Sequence, residues 1–538
     1  MNNSLYRLLD RYHLLPTAVL FLLLFVLAAY FYFFTENSVS WPGFFSIMVF
    51  YGFIFYLGSW AGKMRAEKTH GSLMLAGRSL PLGISVFTMA ATWIDGGYIN
   101  GSAEYTAAAG QGLVWVQAPW GYALSLMFGG LVFATPMRKY RFSTLLDPLH
   151  QRFGHRVATL QFLPALTGEL FWSGAILTAL GMTFSIVLDL DTQTAIIVSA
   201  AIGVAYTALG GMWSVAVTDV AQLIILVIGL LIVVPDALGE LGGASAVWSE
   251  YKAQRGAAAS IFPSREALGD YYWYWWDYAL LLVFGGIPWQ SYFQRVLAAK
   301  DTRTARNLSF LAGFICLFAA IPSVLIGMGG SLTDWAAMGL PEPPNDASIL
   351  PHVIRYLTHP WVAIIGLGAV AAAVMSSVDA SILSSSSMVT WNVYRPLLKP
   401  KADAQHLGKV IKRSIWIVGV AATLLALQVK SVYVLWTLCS DFVYCLLFPA
   451  LVAALFDKKA NAWGATAGFF VAFVLRFGGG EPNLGLPALL PYPMMVDGVV
   501  LFPFRTLAML SGLITIWTVS RLTARWSPPI PIRVLESE

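Results

Sequence analysis

The chain has 538 residues, of which 58% are hydrophobic and only 11% charged, with a formal net charge of +5. Soluble globular chains carry about 25% charged residues, so a soluble enzyme, a disordered scaffold and a disulfide-stapled secreted domain are all excluded. The basic residues lie in short segments between apolar runs, which reads as membrane topology and not as a nucleic-acid footprint.

Apolar runs near 20 residues match a hydrocarbon core about 30 Å thick, whereas a β-barrel would alternate over segments of about ten. The expected fold class is therefore an all-α integral membrane protein. In chain order the runs predict spans near 14–35, 42–62, 80–108, 111–135, 157–187, 192–209, 213–236, 273–297, 304–329, 361–393, 408–428, 432–455, 462–477 and 500–524, about fourteen helices. The first run is longer than a secretory h-region and no small-residue cleavage site follows it, so it reads as an uncleaved helix.

Placing Arg7 and Arg11 in the cytoplasm and alternating sides sorts the remaining charges well. Lys63, Arg65 and Lys68 then fall inside, as do Arg138, Lys139 and Arg141. So do Lys300, Arg303 and Arg306, the basic run from Lys399 to Arg413, Lys458 and Lys459, and Arg521 and Arg525. Both termini are expected in the cytoplasm of a multi-pass cell-membrane protein.

Two spans are interrupted. Trp93-Ile94-Asp95-Gly96-Gly97-Tyr98-Ile99-Asn100-Gly101 breaks the third, and Gly285-Gly286-Ile287-Pro288-Trp289-Gln290 breaks the eighth. Non-helical backbone at membrane depth survives only where it lines a cavity, and paired interruptions in the two halves of a chain point to a transporter binding site. Repeats of five helices fit the spacing, and an odd number of helices inverts the second copy.

Ala90-Ala91-Thr92-Trp93, Gly96 through Gly101, Gln117-Ala118-Pro119, Gly121-Tyr122, Gly168-Glu169, Phe171-Trp172 and Thr218-Asp219 occur in the first half. Gly285 through Gln290, Phe293 through Leu297, Ala372 through Ser377 with Asp379, Leu435-Trp436, Ser440-Asp441 and Gly479 through Pro482 follow in the second. On these motifs the chain resembles the sodium:solute symporter family from about residue 42 to 525, most closely its choline-carrying members.

The resemblance implies a LeuT-type five-plus-five inverted repeat. Residues 1–40 would be an extra N-terminal helix and 41–79 the first family helix with a cytoplasmic loop. Residues 80–236 and 273–456 would be the two repeats around an extracellular loop at 237–272, and 457–538 two further helices with a short cytoplasmic tail.

The implied activity is sodium-coupled import of choline or a close quaternary or tertiary ammonium by alternating access, with no covalent chemistry. Sodium would bind the carbonyls of Ala91, Ile94 and Ala373 and the hydroxyls of Ser376 and Ser377. A broken helix frees carbonyls for such a hard cation. Trp93, Tyr122, Trp172, Trp289 and Trp436 would line the substrate pocket. A trimethylammonium head has no N–H to donate, so dispersion and cation–π attraction must hold it, at about 0.5–2 kcal/mol per ring.

Asp95 stands where the choline-carrying members have glycine, whereas the monoamine carriers among related symporters place an aspartate there to pair with the amine. A carboxylate at this depth is expensive unless it meets a cation, which favours a cationic substrate. Helping a second sodium, standing in for chloride, and capping the broken helix remain open alternatives for it.

Glu169 and Asp379 are candidates for coupling or gating. Asp219 and Glu481 read as structural acids held by backbone or hydroxyl donors. The serines Ser381, Ser384, Ser385, Ser386 and Ser387 read as bonded to carbonyls one turn earlier. Cys316, Cys439 and Cys445 read as small hydrophobes, and His150, His155, His352, His359 and His406 lack ligand spacing.

Sodium is thus the expected ion, with chloride and a homodimer left open, and the partners are a small cation and the lipid bilayer, with no nucleic acid. The rival solute is a betaine or an amino acid, against which Asp95 argues. The rivals from other classes are a receptor built on the transporter fold and a passive channel.

Overall fold

A computed structural model describes residues 41–61, 74–188, 190–209, 211–428, 432–481 and 485–535, with helical positions 21, 22, 25, 26 and 29 besides. The span expected at 14–35 lies outside the described residues apart from those five positions, as do Arg7, Arg11, Lys63, Arg65 and Lys68.

The described chain is helical almost throughout. Helix α1 (Trp41–Ala61) leads to the first broken span, α2 (Leu82–Trp93) and α3 (Gly96–Ala107). Next come α4 (Ala118–Phe128), which runs through a π-helical stretch to Lys139, the short α5 (Asp147–Phe153), and the long helices α6 (His155–Leu188), α7 (Thr192–Leu209) and α8 (Met212–Gly239). After α9 (Ala244–Arg255) the second broken span follows, α10 (Tyr272–Gly285) and α11 (Gln290–Ala298).

Helices α12 (Thr302–Ala319) and α13 (Ile321–Leu332) meet at a kink with Pro322 in the first turn of α13, where the sequence predicts one straight run. Then come α14 (Ile349–Tyr356), α15 (Pro360–Met388), α16 (Ala404–Gln428), α17 (Val432–Phe442) and α18 (Phe448–Phe456). Helix α19 (Ala462–Gly478) and α20 (Phe504–Leu522) pack along each other. Before α20 a two-residue hairpin pairs Met495 with Val500, and its turn residues Asp497 and Gly498 both have positive φ, as a type I′ turn requires.

Among the described residues seven helices are long and apolar enough to cross a membrane by themselves. The halves of the two broken spans are each too short, which is why length alone undercounts them. At the centre, α6 lies along α15 and α17, while α8 packs on both α15 and α2.

The first interruption is narrower than the glycines suggest. Only Ile94 and Asp95 leave the helix, and Gly96, Gly97 and Gly101 are already in α3. Those glycines serve close approach: a Cβ on Gly96 would stand 2.7 Å from Ala179, and one on Gly97 would stand 2.5 Å from the Trp436 ring. The second break is where the sequence puts it, between Gly285 and Gln290.

Candidate substrate and ion site

Helix α2 stops at Trp93, so the last carbonyls of its final turn lack the amides that would continue the helix. Asp95 then adopts extended backbone and caps α3, its Oδ1 accepting the Tyr98 N–H at 2.6 Å. Its other oxygen, Oδ2, accepts the indole N–H of Trp172 at 2.5 Å. The carboxylate is 1% exposed, so both hydrogen bonds form away from bulk water.

The five aromatic residues named from the sequence form one continuous run of ring contacts. Trp289 meets Trp172 at 5.5 Å, Trp172 meets Trp93 at 6.1 Å, Trp93 meets Tyr122 at 5.9 Å and Tyr122 meets Trp436 at 5.3 Å. They come from α2, α4, α6, the residue before α11, and α17. Trp289 is held by its own N–H, which donates at 2.7 Å to the carbonyl of Gly285 freed at the end of α10.

Thr92, Trp93, Asp95, Tyr122, Trp172 and Trp289 line a cavity of about 10 Å³. That is room for about one water molecule. The Trp93 N–H is buried without a partner among the described residues.

Beside this cavity oxygen atoms converge between α2 and α15. The Ser376 hydroxyl lies 3.2 Å from the Ala91 carbonyl oxygen and 2.7 Å from that of Ala373, and the Ser377 hydroxyl lies 3.4 Å from the Ala91 oxygen. Four of the five expected sodium ligands are therefore together, all neutral. Ile94 joins them in sequence, between Trp93 and Asp95, with its N–H bonded to Ala90.

Glu169, one turn before Trp172 on α6, bridges two other elements. Its Oε1 accepts the backbone N–H of Ser291 at 3.2 Å, and its Oε2 accepts the Ser384 hydroxyl at 2.7 Å. Helix α6 thus reaches the start of α3 through Trp172 and Asp95, and the start of α11 through Glu169. Asp379 accepts from the Thr207 hydroxyl at 2.8 Å, and its second oxygen is buried without a partner among the described residues. It faces α7 and does not join the aromatic cavity.

Several residues escaped the sequence reading. Ser384 bonds Glu169 as well as the Ser381 carbonyl, so it does more than back-bond. Tyr98 stacks on Tyr122 at 6.4 Å, and Tyr292 meets Trp93 at 6.2 Å. Tyr292 lies in the first turn of α11, three residues after Trp289, and that nearness in sequence could have flagged it.

The acids read as held by backbone or hydroxyl donors also have cationic partners. Asp219 pairs with Arg295 at 3.2 Å, both fully buried, with Thr88 donating to the same carboxylate. Glu481 pairs with Arg476 at 2.8 Å in a buried network that also holds Asp441, Arg505 and Asp277. Arginines inside apolar spans look like topology charges in a sequence, and only packing reveals their acids.

A helical membrane fold with paired broken spans, an aromatic cavity at one break and neutral oxygens gathered at its flank defines a class: a secondary transporter, not an enzyme. The sodium:solute symporter family model matches residues 73–472. The chain belongs to that family.

It is similar to the high-affinity choline transporter 1 of Drosophila melanogaster, with 45% identity over 499 residues, 90% of this chain and 78% of that one. The human high-affinity choline transporter 1 is 44% identical over 499 residues, 89% of this chain and 85% of that one. Among solved structures, a Na+-coupled sialic acid symporter in a substrate-bound outward-open state aligns with a TM-score of 0.75 at 19% identity, covering 93% of this chain and all of that one. A nucleobase-cation-symport-1 family transporter in a closed conformation aligns with a TM-score of 0.50 at 16% identity, over 85% of this chain and 95% of that one.

Proposed function

We propose that this chain imports choline, or a close quaternary or tertiary ammonium, coupled to sodium and by alternating access. The observation that carries the reading is the unbroken run of rings from Trp289 through Trp172, Trp93 and Tyr122 to Trp436 around one buried carboxylate. Identity of 43–45% to choline transporters of three animals supports the substrate. The four rings that line the cavity, at about 0.5–2 kcal/mol each, reach the roughly 8 kcal/mol of a micromolar complex once burial adds to them.

Asp95 sets the sign of the cargo by its field. Both its oxygens already accept hydrogen bonds, so it attracts the cation through charge and orients the Trp172 ring, rather than waiting as a bare partner. A zwitterion would bring its own carboxylate toward Asp95 and be rejected. Sodium, as co-transported cargo, would take the oxygens of Ala91, Ile94, Ala373, Ser376 and Ser377. That joins the end of α2 to α15 and fixes Trp93, two residues from Ala91. Glu169 and Asp379 serve coupling and gating in this reading, Glu169 by tying α6 to α11 and α15.

At an inside-negative potential each entering positive charge gains about 2.3 kcal/mol per 100 mV, so sodium and a cationic substrate are both drawn inward. The chain would span the cell membrane fourteen times as two inverted five-helix repeats with flanking helices, both termini cytoplasmic. Replacing chloride with gluconate measures any chloride requirement.

Equilibrium binding tests the reading. Choline should quench the tryptophan fluorescence of the purified protein in sodium and much less in potassium. Equal quenching in both salts, or a preference for betaine, would overturn it.

A further inference from the structure

A second cleft, of about 630 Å³, opens between α18 and α20 and shares no lining residue with the aromatic cavity. Its walls are apolar: Val452 and Phe456 from α18, Leu513, Ile514 and Trp517 from α20. Phe456, Ile514 and Trp517 are each about half exposed or more, so the cleft faces outward, where a membrane protein meets acyl chains. Both helices end at the same end of the cleft, and Asp457 and Arg521 close it there.

That end has the composition of a headgroup layer. Trp463 and Trp526 are exposed at it, and tryptophan belts mark membrane–water interfaces. Lys458, Lys459 and Arg525 are exposed there as well. With Arg521 and the buried Arg152, which interacts with Asp457 from α5, cations outnumber the carboxylate of Asp457 at this end among the described residues.

Arg521 is held in place but not used up. Its guanidinium lies 4.1 Å from the centre of the Trp517 ring. Nη1 donates to Asp457 at 2.9 Å and to the Trp517 carbonyl at 2.9 Å, and Nη2 reaches Asp457 only at 3.5 Å. A guanidinium has five N–H donors in a fork that fits phosphate, and the side chain keeps 31% exposure.

We propose that this cleft binds one anionic phospholipid, its phosphate on Arg521 and one acyl chain between α18 and α20. The volume falls within the roughly 300–1,000 Å³ of ligand pockets. The excess of cations selects the anionic lipid, because a choline headgroup would add a further cation among them.

The test is native mass spectrometry of the detergent-purified full chain with added phosphatidylglycerol, phosphatidylcholine or soluble glycerol phosphate. The wild type should retain one phosphatidylglycerol at least tenfold better than phosphatidylcholine, with glycerol phosphate failing to displace it. Two substitutions break the same ion pair in opposite senses. Arg521→Ala should abolish the preference, whereas Asp457→Asn, which releases the guanidinium, should strengthen it at least threefold. Loss in both variants would reduce the pair to a structural tie and overturn the proposal. So would equal retention of the two lipids, displacement by glycerol phosphate, or a dimer that Ile514→Arg dissociates, which would assign the cleft to a second copy.

Discussion

Asp95→Asn separates the charge of this carboxylate from the hydrogen bonds it makes. Asparagine remains a good helix N-cap and can still accept the Tyr98 N–H at the 2.6 Å contact. It removes the negative charge, which for a cation centred about 5 Å away at an effective dielectric near 20 contributes about 3 kcal/mol. That is about a hundredfold in affinity.

The Trp172 N–H also loses a charged acceptor, and leaving it unpaired costs about 1–3 kcal/mol. That second cost is a property of the pocket and acts on any ligand of the same shape. The assay is therefore competitive binding of choline and of 3,3-dimethylbutan-1-ol, its neutral carbon isostere. The variant should weaken choline by about a hundredfold more than the isostere. Trp172→Phe, which removes the donor and exchanges an indole for a phenyl face, should weaken choline more than the isostere, but by tenfold or less. Equal weakening of the two ligands by Asp95→Asn would refute the charge argument and leave Asp95 as a cap alone.

Further predictions concern the ion set and the packing around it. Ser376→Ala with Ser377→Ala removes both hydroxyls near Ala91, and at about 1.5–3 kcal/mol for a bond to a charged group it should raise the sodium concentration for half-maximal uptake by tenfold or more. Unchanged sodium dependence would sink the assignment. Asp219→Asn leaves Arg295 buried without its counter-charge, a loss of about 3–5 kcal/mol that should lower the melting temperature. The double variant Asp219→Asn with Arg295→Met should recover part of that stability, and an unshifted melt in the single variant would contradict the pairing. Gly97→Ala pushes a methyl to 2.5 Å from the Trp436 ring and should reduce choline affinity by about tenfold, read by the same competition. Gly83→Ala, with nothing within 4 Å of its new methyl, should leave affinity unchanged.

Much of this was legible in the sequence because a bilayer allows few solutions. Spans must be long and apolar, and their interruptions must line a cavity, so Asp95 and Trp289 announce themselves against an apolar background. The five aromatics were legible through the motifs around them; four of them line the cavity, and Trp436 touches it only through the Tyr122 ring. Illegible were the partnerships that depend on how helices lean together. Glu169 lies 122 residues from Ser291 and 215 from Ser384, and no local pattern links them. The same holds for Arg295 and Asp219, 76 residues apart. Gly96 and Gly97 misled because a glycine that lets helices approach looks in sequence like one that breaks a helix.

The most direct test of the central claim is uptake of labelled choline into proteoliposomes held at a fixed inside-negative potential, with and without an inward sodium gradient. Sodium-driven accumulation, inhibited by dimethylethanolamine and not by betaine, is the predicted result. Uptake indifferent to sodium, or accumulation of betaine in place of choline, would contradict the coupling or the cation-selective pocket.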